Sequence, residues 1–215
     1  MLVKENGQKS LKINKKKFVY LISPNKIYRS FYKDLVSLFK IKKISFFQLR
    51  LKKTRRGNKL IIGRKIKKIC KKYKVKLIIN DDPNLAKKVG ADGCHLGQND
   101  MVIQGARKIL KKKIIGITCH NSKKLIRYAV KDGANYIAIG AFFKSKTKKV
   151  NYFAKPSLIT WAKRFTKLPV VIIGGITNKN FRKLLLHKPD FLAISGGIWD
   201  KKPAKAIKEF YENKR

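Results

Sequence analysis

Four of the chain's 11 acidic residues, Asp81, Asp82, Asp92 and Asp100, fall within the twenty positions 81–100. Asp81 follows the apolar run KLIIN, and Asp100 follows CHLGQN. Each stands where a strand-like stretch gives way to a loop. Two carboxylates at the ends of neighbouring strands are hard oxygen ligands suited to Mg²⁺, with water and a substrate phosphate filling the other positions. An Asp just before a helix can instead accept backbone N–H bonds as an N-cap. Asp82, directly ahead of Pro83, fits that second role best. Spacing leaves both roles open for Asp81 and Asp100.

Other polar groups stand at similar places. Gln48, Arg50 and Lys52 alternate in QLRLK, and alternate residues of a strand share a face. An amide and two cations converging there suit a diphosphate, although Arg50 and Lys52 are also two of 55 basic residues. Ser145, Thr147 and Lys148 in FFKSKTKK offer hydroxyls and a cation to a phosphate or a heteroaromatic ring; a lysine-rich surface loop reads the same way. His95 and His120 have no Ser-His-Asp order, HExxH or Walker loop around them. Cys119 has no clear base partner.

The elements that must hold these residues alternate along the chain. Strand-like runs are read at Phe18–Ser23, Ile44–Leu49, Val75–Asn80, Gly93–Leu96, Ile114–Thr118, Tyr136–Ala141, Val170–Gly174 and Phe191–Ser195. Lysine-rich stretches with helical spacing lie between them, among them Tyr28–Ile41, Arg64–Tyr73, Pro83–Val89, Ser122–Lys131 and Asn178–His187, and Pro203–Tyr211 closes the chain. Continuously apolar strands fit a parallel sheet covered on both sides. Eight β-then-α units predict a single (β/α)8 TIM barrel, with an open doubly wound sheet as the alternative. In such a barrel, reactive groups sit where strands end. Gly174 and Gly175 end the seventh strand and Ser195, Gly196 and Gly197 the eighth, where barrels of this kind bind phosphate on backbone N–H groups.

The chain has 215 residues and a formal net charge of +44, with 44% apolar residues. That apolar content rules out wholesale disorder. No apolar run reaches the roughly 20 residues of a membrane helix. The charge is carried by 45 Lys and only 10 Arg, spread along the whole chain. Arg is the better bidentate reader of phosphate, so non-specific, salt-sensitive polyanion binding is expected rather than a dedicated nucleic-acid function. Three cysteines without CxxC spacing point to a reducing, cytoplasmic setting and no structural zinc. Residues 1–17 read as a flexible basic leader before a barrel domain at 18–215. Oligomeric state is not legible.

QLRLK, INDD, ADGCHLGQND, GITCHN, GANYIAIGAFF, SKTKK, IGGIT and AISGGIW follow one another in the order seen in thiamine-phosphate synthases, which the chain resembles from about Phe18 to its C-terminus. The resemblance implies a TIM-barrel transferase of thiamine biosynthesis. It would join hydroxymethylpyrimidine diphosphate to thiazole phosphate, with thiamine phosphate and diphosphate as products. The reaction would pass through a pyrimidine carbocation-like species. Catalysis is then positioning and electrostatics rather than a nucleophile. By motif, Asp81 and Asp100 resemble the Mg²⁺ ligands, and Gln48, Arg50, Lys52, Asn80, Thr118 and Lys148 resemble the pyrimidine-diphosphate contacts. Ser145, Thr147, Gly175, Ile194 and Ser195 resemble the thiazole-phosphate contacts, and His95 and Gln98 belong to the HLGQ signature near the pyrimidine. Leu51 stands where the family is often acidic, Thr118 where Ser is usual and Ser145 where Thr is usual. A thiazole tautomerase of the same superfamily is the alternative activity.

Overall fold

In the computed structural model, residues 18–145 and 150–212 are described. The basic stretch 1–17 and the candidate residues Thr147 and Lys148 lie outside them. In chain order the elements are β1 (Val19–Ile22), α1 (Phe31–Lys40), β2 (Ile44–Leu49), α2 (Arg56–Lys72), β3 (Lys76–Asn80), α3 (Pro83–Val89), β4 (Gly93–Leu96), α4 (Ile103–Leu110), β5 (Ile114–His120), α5 (Lys123–Lys131), β6 (Tyr136–Gly140), α6 (Ser157–Phe165), β7 (Val170–Ile173), α7 (Arg182–Leu185), β8 (Phe191–Ile194), α8 (Gly196–Trp199) and α9 (Pro203–Glu212). The strands pair in parallel in sequence order, and β8 returns to β1. This is the closed (β/α)8 barrel rather than the open sheet.

Closure divides the core in two. Outward residues such as Leu21, Phe47, Leu77, Ile79, Ile137 and Ile172 pack against the helices in a large shell cluster. Inward residues, among them Tyr20, Phe46, Ile78, Tyr136, Val171 and Phe191, fill the lumen as a second cluster. Both faces are apolar, which is why the strands carry no alternating pattern. Gly116 of β5 makes room inside. A Cβ there would sit 1.9 Å from the Tyr136 ring, so the bare backbone lets that ring occupy the lumen.

The opposite end of the barrel, where strands begin, is tied by a repeated clasp. Asp92, Asn135 and Asp190 each precede an even-numbered strand. Their side chains accept from the backbone N–H of Leu77 (2.9 Å), Ile115 (2.9 Å) and Val170 (2.8 Å) on the strand before. A cation from the helix ahead of that earlier strand (α2, α4 or α6) closes each one: Lys67 on Asp92 at 2.7 Å, Arg107 on Asn135 at 2.7 Å and Lys163 on Asp190 at 2.7 Å. A helix, the strand after it and the next strand are thereby joined at one partly buried polar point.

Two helices differ from the reading of their spacing. α2 begins at Arg56 rather than Arg64. Gly57 and Gly63 weaken the local helical signal, but Gly63 is where α2 meets α3: a Cβ there would come within 2.8 Å of Val89. α7 is only Arg182–Leu185. The residues before it form a braced turn instead, with Thr177 N–H donating to Asn180 Oδ1 and Asn180 Nδ2 to the Gly175 carbonyl.

Candidate active site

Because all eight strands are parallel, the residues after each strand gather at one mouth. At the end of β3 two adjacent acids take different roles. Asp82 caps α3, accepting from Leu85 N–H at 2.8 Å with Pro83 in the first turn. Asp81 has a left-handed backbone, φ 65°, a conformation that Asp tolerates better than most residues. Its N–H donates to the His95 carbonyl at 2.8 Å, holding the turn against β4.

Asp100 closes a turn after β4 by accepting from Gly97 N–H at 2.6 Å. Its carboxyl also lies against that of Asp81. Burial and the Asp81 charge raise the Asp100 carboxyl above its ordinary value, against the lowering effect of Gly97 N–H and Lys52. Lys52 reaches Asp81 with its ammonium at 2.5 Å. Two carboxylates forced together beside one lysine form a site that favours additional positive charge. No group of three or more potential metal-ligating side chains occurs among the described residues. The donor set therefore fits a cation that takes two carboxylates and fills its other positions from water or phosphate, as Mg²⁺ does.

The strand β2 ends at Leu49, so alternation does not carry through QLRLK. Gln48 points into the lumen and is buried, whereas Arg50 and Lys52 stand in the loop above it. Ser23 ties that loop to β1: Arg50 N–H donates to its Oγ at 2.9 Å, and the Oγ donates to the Arg50 carbonyl at 3.2 Å. Asn80 ends β3, paired in register with His95. A cleft lined by Lys52, Lys59, Asn80, Asp81 and Asp82 opens beside them.

Below the mouth runs a chain of buried polar side chains. Gln48 Nε2 donates to Tyr20 Oη at 2.9 Å, and Tyr20 Oη lies 2.7 Å from Tyr136 Oη. Tyr136 Oη is 2.8 Å from His95 Nδ1, and His95 Nε2 is 2.8 Å from Thr118 Oγ1. Burial pushes the His95 imidazole down to about 4, with Asp81 raising it and Arg50 lowering it further. Gln98 donates to the Thr118 carbonyl. The two tyrosines escape a sequence reading because VYLI and NYIAIG register as apolar core. The available signal is that a buried tyrosine hydroxyl needs a partner.

Across the mouth, Gly174 (φ 104°) and Gly175 (φ 61°) are required by the protein's own backbone. A Cβ on Gly174 would meet Ala141 at 2.2 Å, and one on Gly175 would meet the Lys144 carbonyl at 2.1 Å. The glycine pair thus seats the β6–α6 loop, which carries Ser145. Ser195 precedes the short α8 and donates to the Ser23 carbonyl at 3.1 Å. Ile194 turns its side chain into the outer shell, leaving its backbone at the strand end.

Residues 19–198 match the family described as thiamine monophosphate synthase. The thiamine-phosphate synthase of Pelagibacter ubique is 62% identical over 200 residues, spanning 93% of this chain and 96% of that protein. The thiamine-phosphate synthase of Rhodospirillum centenum is 35% identical over 196 residues, spanning 89% and 95%. Among solved structures, thiamine phosphate pyrophosphorylase from Pyrococcus furiosus superposes with a TM-score of 0.82 at 26% identity, over 93% of this chain and 95% of that one. Barrel, mouth and sequence agree over nearly the whole length, and the chain belongs to the thiamine monophosphate synthase family.

Proposed function

We propose that the protein condenses hydroxymethylpyrimidine diphosphate with thiazole phosphate to give thiamine phosphate and diphosphate, with Mg²⁺ held by Asp81 and Asp100. The observation that supports the metal assignment is that these two carboxylates stand in the turns directly after the paired strands β3 and β4, close enough for the Asp81 charge to raise the Asp100 carboxyl. Bound there, Mg²⁺ would supply charge neutralisation for a diphosphate leaving group.

The chain's own groups do the rest. Lys52 stands beside Asp81 and Arg50 lies in the same loop, and with Lys148 they would take the diphosphate oxygens. Gln48, Asn80 and Thr118 line the side where the pyrimidine ring would lie. Ser145, Thr147, Gly175, Ile194 and Ser195 would hold the thiazole phosphate, Ile194 through its backbone. The C–O bond to diphosphate breaks with its electron pair leaving on oxygen, and the thiazole nitrogen lone pair forms the new C–N bond. No protein nucleophile or proton transfer is needed. Rate enhancement comes from holding the two rings in line and stabilising the leaving charge. The three cysteines are free and buried, which supports a reducing, cytoplasmic location. No helix among the described residues is long and apolar enough to cross a membrane.

The test is to mix the purified protein with both substrates and Mg²⁺ and detect thiamine phosphate by oxidation to fluorescent thiochrome. The expected result is product that requires both substrates and disappears with chelator. Isomerisation of thiazole phosphate without pyrimidine or metal would instead identify a tautomerase.

A further inference from the structure

Among the described residues, the lumen cluster is apolar apart from a hydrogen-bonded line that crosses it from β2 to β5. Gln48, Tyr20, Tyr136 and His95 are 3%, 1%, 2% and 7% exposed. Tyr20 and Tyr136 are fully sheltered in the lumen cluster with Phe46, Ile78 and Phe191. A hydroxyl buried there without a partner would cost about 1–3 kcal/mol, so each proton in the line must find an acceptor.

That requirement fixes a direction. The Gln48 Nε2 group can only donate, so Tyr20 Oη accepts from it. With Gln48 N–H donating to it, the Tyr20 hydroxyl lies 2.7 Å from Tyr136 Oη, which is the acceptor it meets among the described residues. Tyr136 then passes its own proton to His95 Nδ1. With Nδ1 accepting, the ring proton sits on Nε2 and is donated to Thr118 Oγ1. In the opposite direction His95 Nδ1–H would donate to Tyr136 and Tyr136 to Tyr20, and the Tyr20 proton would then face the Gln48 N–H group unless that amide turned its oxygen inward. The loop after β2 supports the same sense: the Arg50 and Lys52 cations that follow Gln48 favour its amide oxygen turned toward them, with its N–H group inward on Tyr20.

We propose that Tyr20 and Tyr136 are positioning residues whose hydroxyls form a directed relay, fixing His95 as the Nε2–H tautomer and Thr118 as a hydroxyl donor at the mouth. At one end of the relay Gln48 offers its carbonyl as an acceptor, and at the other Thr118 offers an O–H. A ring that presents a donor and an acceptor edge is then read by two groups whose polarities are set together. The consequence for substrate binding rests on the synthase reading above. The tautomer itself does not.

The test is ¹⁵N NMR of histidine-labelled protein without substrate. The chain has only three histidines, and His120→Asn and His187→Asn variants assign the third. His95 is expected to show a bare Nδ1 and a protonated Nε2. In Tyr136→Phe, Nδ1 loses its donor, and the His95 signals are expected to move toward tautomer averaging. Tyr136→Phe is also expected to raise KM for the pyrimidine diphosphate about tenfold, the scale of one lost hydrogen bond, while KM for thiazole phosphate stays unchanged. A wild-type His95 protonated on Nδ1, an unaltered His95 spectrum in Tyr136→Phe, or an equal rise in both KM values would overturn the proposal. If Tyr136→Phe does not fold, the wild-type assignment alone decides the direction. Absence of synthase activity would leave the spectra interpretable, so the two readings fail separately.

Discussion

Asp81 and Asp82 are identical neighbours with different work, and a single backbone angle separates them. The left-handed φ of 65° at Asp81 turns its carboxylate toward Asp100 and Lys52, whereas Asp82 stays extended and caps α3. Asp100 is the more sensitive probe of that pair because burial and Asp81 raise its carboxyl. A carboxyl raised on folding adds stability below its unfolded value and loses it as pH rises through the folded value. At neutral pH the charged Asp100 therefore works against the metal-free fold. Asp100→Asn keeps an oxygen for the Gly97 N–H and removes the repulsion. Its melting temperature in chelator is expected to exceed that of wild type. Added Mg²⁺ is expected to stabilise wild type but not the variant, and synthase activity is expected to fall at least about a hundredfold. Calorimetry with and without Mg²⁺ reads the first two effects; a variant still stabilised by Mg²⁺ as wild type is would displace the metal site.

Among the elements, the clasps at the strand-start end carry the clearest energetic content. Asp92 is partly buried, which alone would raise its carboxyl. The Lys67 bond, the Leu77 N–H and the Lys67 and Lys76 charges outweigh that and lower it. A lowered carboxyl contributes stability above its unfolded value of about 3.9 and loses it as pH falls through the folded value. Asp92→Asn is expected to lose about 1–3 kcal/mol at neutral pH, a drop of roughly 2–12 °C in melting temperature. The gap should close as pH falls below about 4, which urea titrations from pH 6 to pH 2.5 would show. Helix ends offer a change of opposite sign. Lys74 (φ 54°) occupies the left-handed residue after α2, where Val75 N–H returns to the Cys70 carbonyl at 2.9 Å. Glycine fits that conformation without the Cβ clash. Lys74→Gly is expected to stabilise by about 0.5–1 kcal/mol, raising the melting temperature by roughly 1–4 °C.

For the whole molecule, the net charge of +44 sets the conditions under which the barrel is stable. Like charges over one surface repel across distances that salt screens, with a Debye length of about 10 Å at 0.1 M. The ion pairs that matter structurally, Lys67–Asp92 and Lys163–Asp190, are partly buried and less exposed to that screening. Raising NaCl from 0.05 to 0.5 M is therefore expected to raise the melting temperature. A steady fall would mean that attraction among surface charges outweighs repulsion. The same salt should elute the protein from an immobilised polyanion, as counterion release requires.

Much of this protein is legible before any coordinates. Eight apolar runs separated by lysine-rich helical stretches specify the alternation of strand and helix, because buried parallel strands need apolar residues on both faces. INDD, HLGQND and IGGIT mark the mouth because catalytic groups in a barrel stand at strand ends. Other features depend on residues far apart in sequence, where local pattern carries no signal. Closure brings Gln48, Tyr20, Tyr136, His95 and Thr118 into one line although Tyr20 and Tyr136 are 116 positions apart. Gly63 of α2 meets Val89 of α3, and the glycine pair 174–175 also admits the close approach of Ala141 and Lys144 from the β6–α6 loop. Local periodicity responds to burial, and closure of the barrel determines which buried groups meet.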